Sequence, residues 1–272
     1  MIALTCNGNA AIRGVAIAKL FPDNPHFRFC ESVTFGFAAA ASDVTEVIAA
    51  TPEAWCLGLR PRGVEALQLR PYRRKTPSED RVTSGFVHGG SLWKIEASLG
   101  GGASEVWTSA WELVGAPGGS DGKPWRVRYS RTKEDGWKRA SLDLARASDH
   151  LRQALQAAED LASAQGADAA FIQRFHRARA ALNPDHSDDN PADGVVGDFC
   201  PPGVLSEAAV RLLAASSEAW VFGGMGSWND PMTFSKRMQP EIKERYDRIS
   251  DVLFDALQEA VADAATSSAP LI

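Results

Sequence analysis

At 272 residues, with 44% apolar and 23% charged side chains, the chain has the size and composition of an ordinary globular protein. No apolar run reaches the roughly 18 residues of a membrane span. The opening stretch, interrupted by Asn7, Asn9 and Arg13, lacks the basic start and unbroken apolar centre of a signal peptide, so a cytoplasmic protein is expected. The net charge of −5 is uneven, with fifteen acidic and six basic side chains in residues 183–272 (net −9) and +4 left for residues 1–182.

The first elements are the hardest to read. A helix is expected over Ala10–Leu20, ended by the turn Phe21-Pro22-Asp23-Asn24-Pro25. His26–Phe37 alternates aromatic and polar residues and reads as a strand. Ser42-Asp43 then opens a short helix, with Asp43 and Glu46 at capping-box spacing and Val44, Val47 and Ile48 as its apolar stripe.

From Ala54 to Leu142 the pattern is almost all strand. Segments 54–59, 64–72, 91–99, 103–114, 124–131 and 136–144 are separated by Gly, Pro and charged turns, at the spacing of an antiparallel meander. Trp125, Val127 and Tyr129 should share one face and Arg126, Arg128 and Ser130 the other; Ile95, Ala97 and Leu99 likewise oppose Lys94, Glu96 and Ser98. Six of the eight tryptophans fall in this part, which is therefore expected to supply much of the core. It also holds two basic runs, Arg60 to Arg81 and Lys123 to Arg139.

Two helices with apolar stripes follow, over Asp149–Gln165 and Ala167–Leu182, close enough at Gly166 to form a hairpin. Residues 183–203, rich in Asp, Pro and Gly, read as an acidic, mobile linker. Leu205–Ala215 reads as a short helix, and Pro240 is placed to start a long amphipathic one reaching Ala264. The expected class is α+β: an antiparallel sheet of about five to seven strands covered on one face by helices. The chain then divides into 1–182, the linker 183–203, and a helix–strand–helix unit over 204–272 docked on the same domain.

Between those last helices lies Ala219–Asp230, AWVFGGMGSWND. Ala219–Phe222 reads as a buried strand running into Gly223-Gly224-Met225-Gly226 and the polar run Ser227-Trp228-Asn229-Asp230. Strand, glycine loop, polar cluster and helix is a common way to build a site. Gly224 and Gly226 could present backbone N–H groups, Trp228 a stacking face, and Ser227, Asn229 and Asp230 polar contacts; the competing reading is an Asx-type turn with Trp228 packed on the core. The segments 46–59 and 211–224 align without gaps and share six of fourteen residues, including Glu-Ala-Trp; both are expected to run from a helix end through a turn into a strand.

Known catalytic patterns fail one by one. Gly118-Gly119-Ser120-Asp121-Gly122 matches Gly-x-Ser-x-Gly but lies between two strands, where a hairpin is expected and no helix can follow. Gly122-Lys123 is followed by Pro124, so it is not a phosphate loop, and Gly224-Met225-Gly226 lacks the third glycine of a dinucleotide fingerprint. Cys6, Cys30, Cys56 and Cys200 are scattered and expected to be buried thiols. His186 among Asp185, Asp188 and Asp189 reads as a solvated acidic linker before it reads as a cation site. His88, flanked by Gly89-Gly90, is the histidine best placed for function, with Glu96 or Asp230 as its orienting carboxylate.

The residues point to a non-enzymatic binding or interaction protein, partner-sequestering or immunity-like, with no cofactor, no metal and no membrane. They select no particular protein or small-molecule partner. A small-substrate hydrolase or transferase built on His88 is the alternative. A basic sheet face for an anionic partner is the third reading, and a nucleic-acid partner is disfavoured because no RNA- or DNA-binding motif is present.

Overall fold

A computed structural model of the chain describes residues 1–40, 43–72, 76–84, 93–114, 122–135, 138–184, 196–223, 226–230 and 239–270. Its elements are α1 (Ile2–Ile12), β1 (Cys30–Ala40), β2 (Asp43–Ala49), α2 (Pro52–Leu59) with a 3-10 turn (Arg60–Arg62), β3 (Ala66–Pro71), α3 (Pro77–Thr83), β4 (Trp93–Ser98), β5 (Ala103–Leu113), β6 (Trp125–Asp135), α4 (Leu144–Gln165), α5 (Ala169–Ala181), α6 (Glu207–Glu218) and α7 (Pro240–Thr266). The class is α+β, as the alternation predicts.

One six-stranded sheet has the order β2-β1-β6-β5-β4-β3. Strands β3 to β6 form the expected antiparallel meander, but β1 lies parallel to β6, so the sheet is mixed. The alternation places Val33, Phe35, Leu67, Leu69, Ile95, Ala97, Trp107, Val127 and Tyr129 on one face, all buried against α1, α2 and the end of α7. Phe35 is sandwiched between Trp55 of α2 and Tyr129, with ring centroids at 5.0 and 4.8 Å. A second core lies among α4, α5, α6 and α7. Helix α7 serves both: Leu253, Phe254 and Leu257 face the helices, and Val261 and Ala265 face the sheet.

Strand β3 is an outer strand, and its free backbone groups are covered. Asn9 donates from Nδ2 to the Leu67 carbonyl and accepts the Leu67 N–H at Oδ1, at 3.1 and 2.8 Å. Thr266 accepts the Leu69 N–H at 3.0 Å. Two side chains thus replace a seventh strand and block edge pairing there. The asparagine that interrupts an apolar stretch in the sequence ties α1 to β3. Gly8 lets it come close: a Cβ there would lie 2.4 Å from Leu67 Cδ1.

Several sequence readings are corrected. The first helix is Ile2–Ile12, not 10–20, because Asn7 and Asn9 are buried and bonded. Strand β1 starts at Cys30; the preceding residues form turns. Residues 43–49 are a strand, not a capped helix, as the β-branched run Val44-Thr45 with Val47-Ile48 favours when β1 is there to pair with. Residues 54–59 are helical, not extended: Thr51 caps the N-terminus by accepting the Ala54 N–H, and Pro52 takes the first helical position. Residues 138–143 form no strand but cross the outer face of the sheet, where Gln68 and Arg70 donate to the Lys138 carbonyl. Ala219–Phe222 joins no sheet. Within the expected mobile linker, 185–195 lie outside the described residues; Val196 and Cys200 are buried, and Phe199 stacks on His26 at 4.0 Å.

Candidate functional site

Of the sequence-predicted site residues, His88 and Gly224 lie outside the described residues, as do Asp185, His186, Asp188 and Asp189. The others are in place and engaged in contacts within the protein. Gly226 takes φ +74°, which any side chain would oppose. Its N–H donates to the Asp230 carboxylate at 2.9 Å, so it is not available to a ligand. Ser227 donates to the Gly223 carbonyl and accepts the Asn229 N–H, and Asp230 N–H donates to the Ser227 carbonyl. The polar run is a self-bonded turn.

Trp228 offers no stacking face: it is 0% exposed. Its ring meets Phe171, Phe175 and Tyr246 at 5.4, 5.1 and 5.6 Å, and its indole N–H donates to Ser250 Oγ at 2.8 Å. Its own carbonyl accepts the Tyr246 hydroxyl, whose pKa is raised by burial. Asn229 clamps α3. Arg81, with a side chain 3% exposed, donates to Asn229 Oδ1 and to Asp251 Oδ1, each at 2.8 Å, and reaches Asp247 at 3.5 Å; Asn229 Nδ2 returns a bond to the Arg81 carbonyl at 3.0 Å. The loop therefore fastens α3 and the helical layer together. The Arg81 hub could be suspected only from Asp247 and Asp251, which the helical repeat puts on one face of α7.

The proposed catalytic orienter Glu96 is held by Arg70 at 3.2 Å and Lys94 at 2.9 Å on the outer face of the sheet. Several described residues of the basic runs are likewise engaged. Arg126 and Arg128 pair with Glu31 and Glu112 across that face. Arg62 and Arg131 are turned to the opposite face, where both approach the buried Glu105 and Arg131 lies over the Phe37 ring at 3.7 Å. Among the described residues no His, Cys, Asp and Glu are grouped to hold a metal, and no helix is long and apolar enough to cross a membrane. All four cysteines are buried free thiols.

What sequence reading missed is at the far end of β5. Among the described residues, strand β4 pairs with β5 from Ser104 to Trp107, whereas β6 follows β5 to Leu113. Two bonds fix the direction of the backbone groups. Val114 N–H donates to Pro124 on the β6 side, and Ala103 accepts from Leu99 on the β4 side. Even-numbered residues of β5 thus face β6, and Trp111 and Leu113 face away from it. No described residue bonds their backbone groups on that side.

The side chains at this end are apolar and uncovered. Trp111 is 43% exposed, Leu113 48% and Val114 38%. Trp111 and Leu113 continue the face that Trp107 buries further along, and Trp111 meets Trp125 edge to face at 6.2 Å. Phe29, 52% exposed, borders them, its carbonyl accepting the Trp125 N–H. The helical cover stops short of a sheet that keeps going. The readable signal is Trp111-Glu112-Leu113-Val114, an apolar end on a strand longer than its neighbour. Compared with known protein families, with characterised proteins and with solved structures, the chain matches none.

Proposed function

We propose that the protein is a non-catalytic, partner-sequestering protein that captures an extended segment of another polypeptide on the open edge of β5. The observation that supports this most is the coincidence at Trp111 and Leu113 of half-exposed apolar side chains and backbone groups with no partner among the described residues. A flat apolar edge left open invites strand pairing, and proteins normally blunt such edges with charge, proline or cover. This fold blunts β3 with Asn9 and Thr266, and no described residue covers the end of β5. Strand addition draws affinity from main-chain hydrogen bonds and specificity from alternate side chains, and Trp111, Leu113 and Trp125 supply an apolar platform for them.

Site-specific photocrosslinking in cell extract tests this reading. A benzoylphenylalanine at Leu113 should give one discrete adduct, lost when Trp111→Lys is added. The same probe at Leu57, 61% exposed on α2, should give none. Equal adducts from both sites, or indifference to Trp111→Lys, would refute it.

A further inference from the structure

At the opposite end of β5 from Trp111 the core under the sheet gives way to three charged side chains. Glu105 and Trp107 are two residues apart on β5, Arg131 lies directly across from Trp107 on β6, and Phe37 lies across from Arg131 on β1. Arg62 joins them from the 3-10 turn after α2, its guanidinium 5.4 Å from the centre of the Trp107 ring. The side chains are 27% exposed at Arg62, 12% at Arg131 and 3% at Glu105.

Neither the charges nor the hydrogen bonds of this cluster balance. Two guanidinium groups share one carboxylate. Arg131 donates to Glu105 Oε1. Arg62 stays 3.8 Å from Glu105 Oε2, beyond hydrogen-bond range. Burial lowers the Arg62 pKa; Glu105 opposes the fall and Arg131 adds to it. Arg62 Nε and Nη2, Arg131 Nε and Trp107 Nε1 are buried without a hydrogen-bond partner, and so is one acceptor, Glu105 Oε2. Guanidinium and indole groups only donate, so these surplus donors cannot satisfy one another. Buried polar groups are ordinarily paired, and leaving one unpaired is costly. A ligand that completes the cluster must bring several acceptors, one donor and negative charge.

From this geometry we propose that the cluster binds hydrogen phosphate, whose bare oxygens accept from the Arg62 and Arg131 guanidinium groups while its P–OH donates to Glu105 Oε2. Arg62 is the way in: it is the most exposed of the three, it stands on a turn, and no described residue hydrogen-bonds it. Sulfate has the same shape but carries no proton at neutral pH, so it would set an oxyanion against Glu105 Oε2. The ion is held unchanged; no bond is made or broken. The site lies roughly 20 Å along β5 from Trp111 at about 3.4 Å per residue, and it does not depend on the β5 edge.

Calorimetric titration of the full chain in phosphate-free buffer at neutral pH, with sodium phosphate against sodium sulfate at equal ionic strength, tests the proposal. Saturable one-site binding of phosphate is expected, with sulfate weaker by about tenfold or more, the factor that a lost charge-assisted hydrogen bond implies. Arg62→Gln should weaken phosphate binding by a similar factor and leave thermal unfolding near that of the parent. Arg126→Gln, on the outer face of the sheet, should bind phosphate as the parent does, which separates the cluster from a general attraction to basic surface. The proposal is overturned by an absence of saturable phosphate binding or by equal affinities for phosphate and sulfate. It is equally overturned if Arg62→Gln binds phosphate as tightly as the parent, or if Arg62→Gln and Arg126→Gln lose the same amount.

Discussion

Two tryptophan-bearing stretches exchange the roles that their sequences suggest. Gly226–Asp230 has the glycine, the aromatic and the paired polar residues of a binding loop, yet Trp228 is wholly buried and Asn229 and Asp230 are spent on Arg81 and Gly226. The strand ending in Trp111-Glu112-Leu113 reads as one more core strand, yet its last residues stand half-exposed beside an edge that no described residue pairs. What separates them is the reach of neighbouring elements. α5 and α7 close over Trp228, whereas among the described residues β4 pairs with β5 no further than Trp107. Residue type marks what a segment could do; the length of its neighbours decides whether it is free to do it.

The largest effect should come from the loop. Trp228→Ala removes a buried ring packed by three aromatics and leaves Ser250 and the Tyr246 layer around a cavity. It should cost about 3–5 kcal/mol in urea unfolding; a loss under about 1 kcal/mol would mean that the ring is not the centre of that core. Asn229→Ala comes next. It strips an acceptor from the buried Arg81 guanidinium and a donor from the Arg81 carbonyl, and should cost about 1–3 kcal/mol while leaving any β5 adduct unchanged. Were Asn229→Ala instead neutral to stability and destructive of the adduct, the roles of the two stretches would be reversed. Trp111→Ser is the counterpart: a loss of no more than about 1.5 kcal/mol, since the half-exposed ring gives up only its edge-to-face contact with Trp125 and its bond to Ser109, and the adduct lost.

The smallest effect concerns pH. Burial raises the Asp263 pKa, so the native state keeps this proton to a higher pH than the unfolded chain does. Between the unfolded value, near 4, and the native one, stability falls as pH rises, and the penalty is complete above the native value. Asp263→Asn should therefore be the more stable protein at neutral pH, with the difference closing below about pH 4. A constant difference across the range would show that the carboxylate is not the cause.

Much of the sheet was legible because burial on one face enforces alternation: 93–98, 103–113 and 125–131 are strands, and 94–98 and 125–130 show the predicted sides. The α4–α5 hairpin and the start of α7 at Pro240 were legible for the same reason, an apolar stripe with local punctuation. Reading failed where a partner distant in sequence decides. Val44–Ile48 satisfies a helical stripe and a strand equally, and β1 chooses. The two Glu-Ala-Trp segments diverge completely. After Thr51-Pro52 the first, Glu53–Trp55, begins helix α2 and puts Trp55 against Phe35; the second ends α6 at Glu218 and leaves Trp220 half-buried near Phe254. Their shared residues reflect neither a repeated corner nor a repeated strand. The Arg81–Asn229 contact, 148 residues apart in the chain, leaves no local trace at all.

The open edge of β5 is tested most directly by residue-resolved amide hydrogen exchange on the free protein. The backbone geometry predicts alternation: Ala110 and Glu112, bonded to β6, exchange slowly, while Trp111 and Leu113 exchange at the rate of exposed loops. Uniform protection from Ser109 to Leu113 would mean that the edge is already covered, and it would contradict the proposed docking of a partner strand.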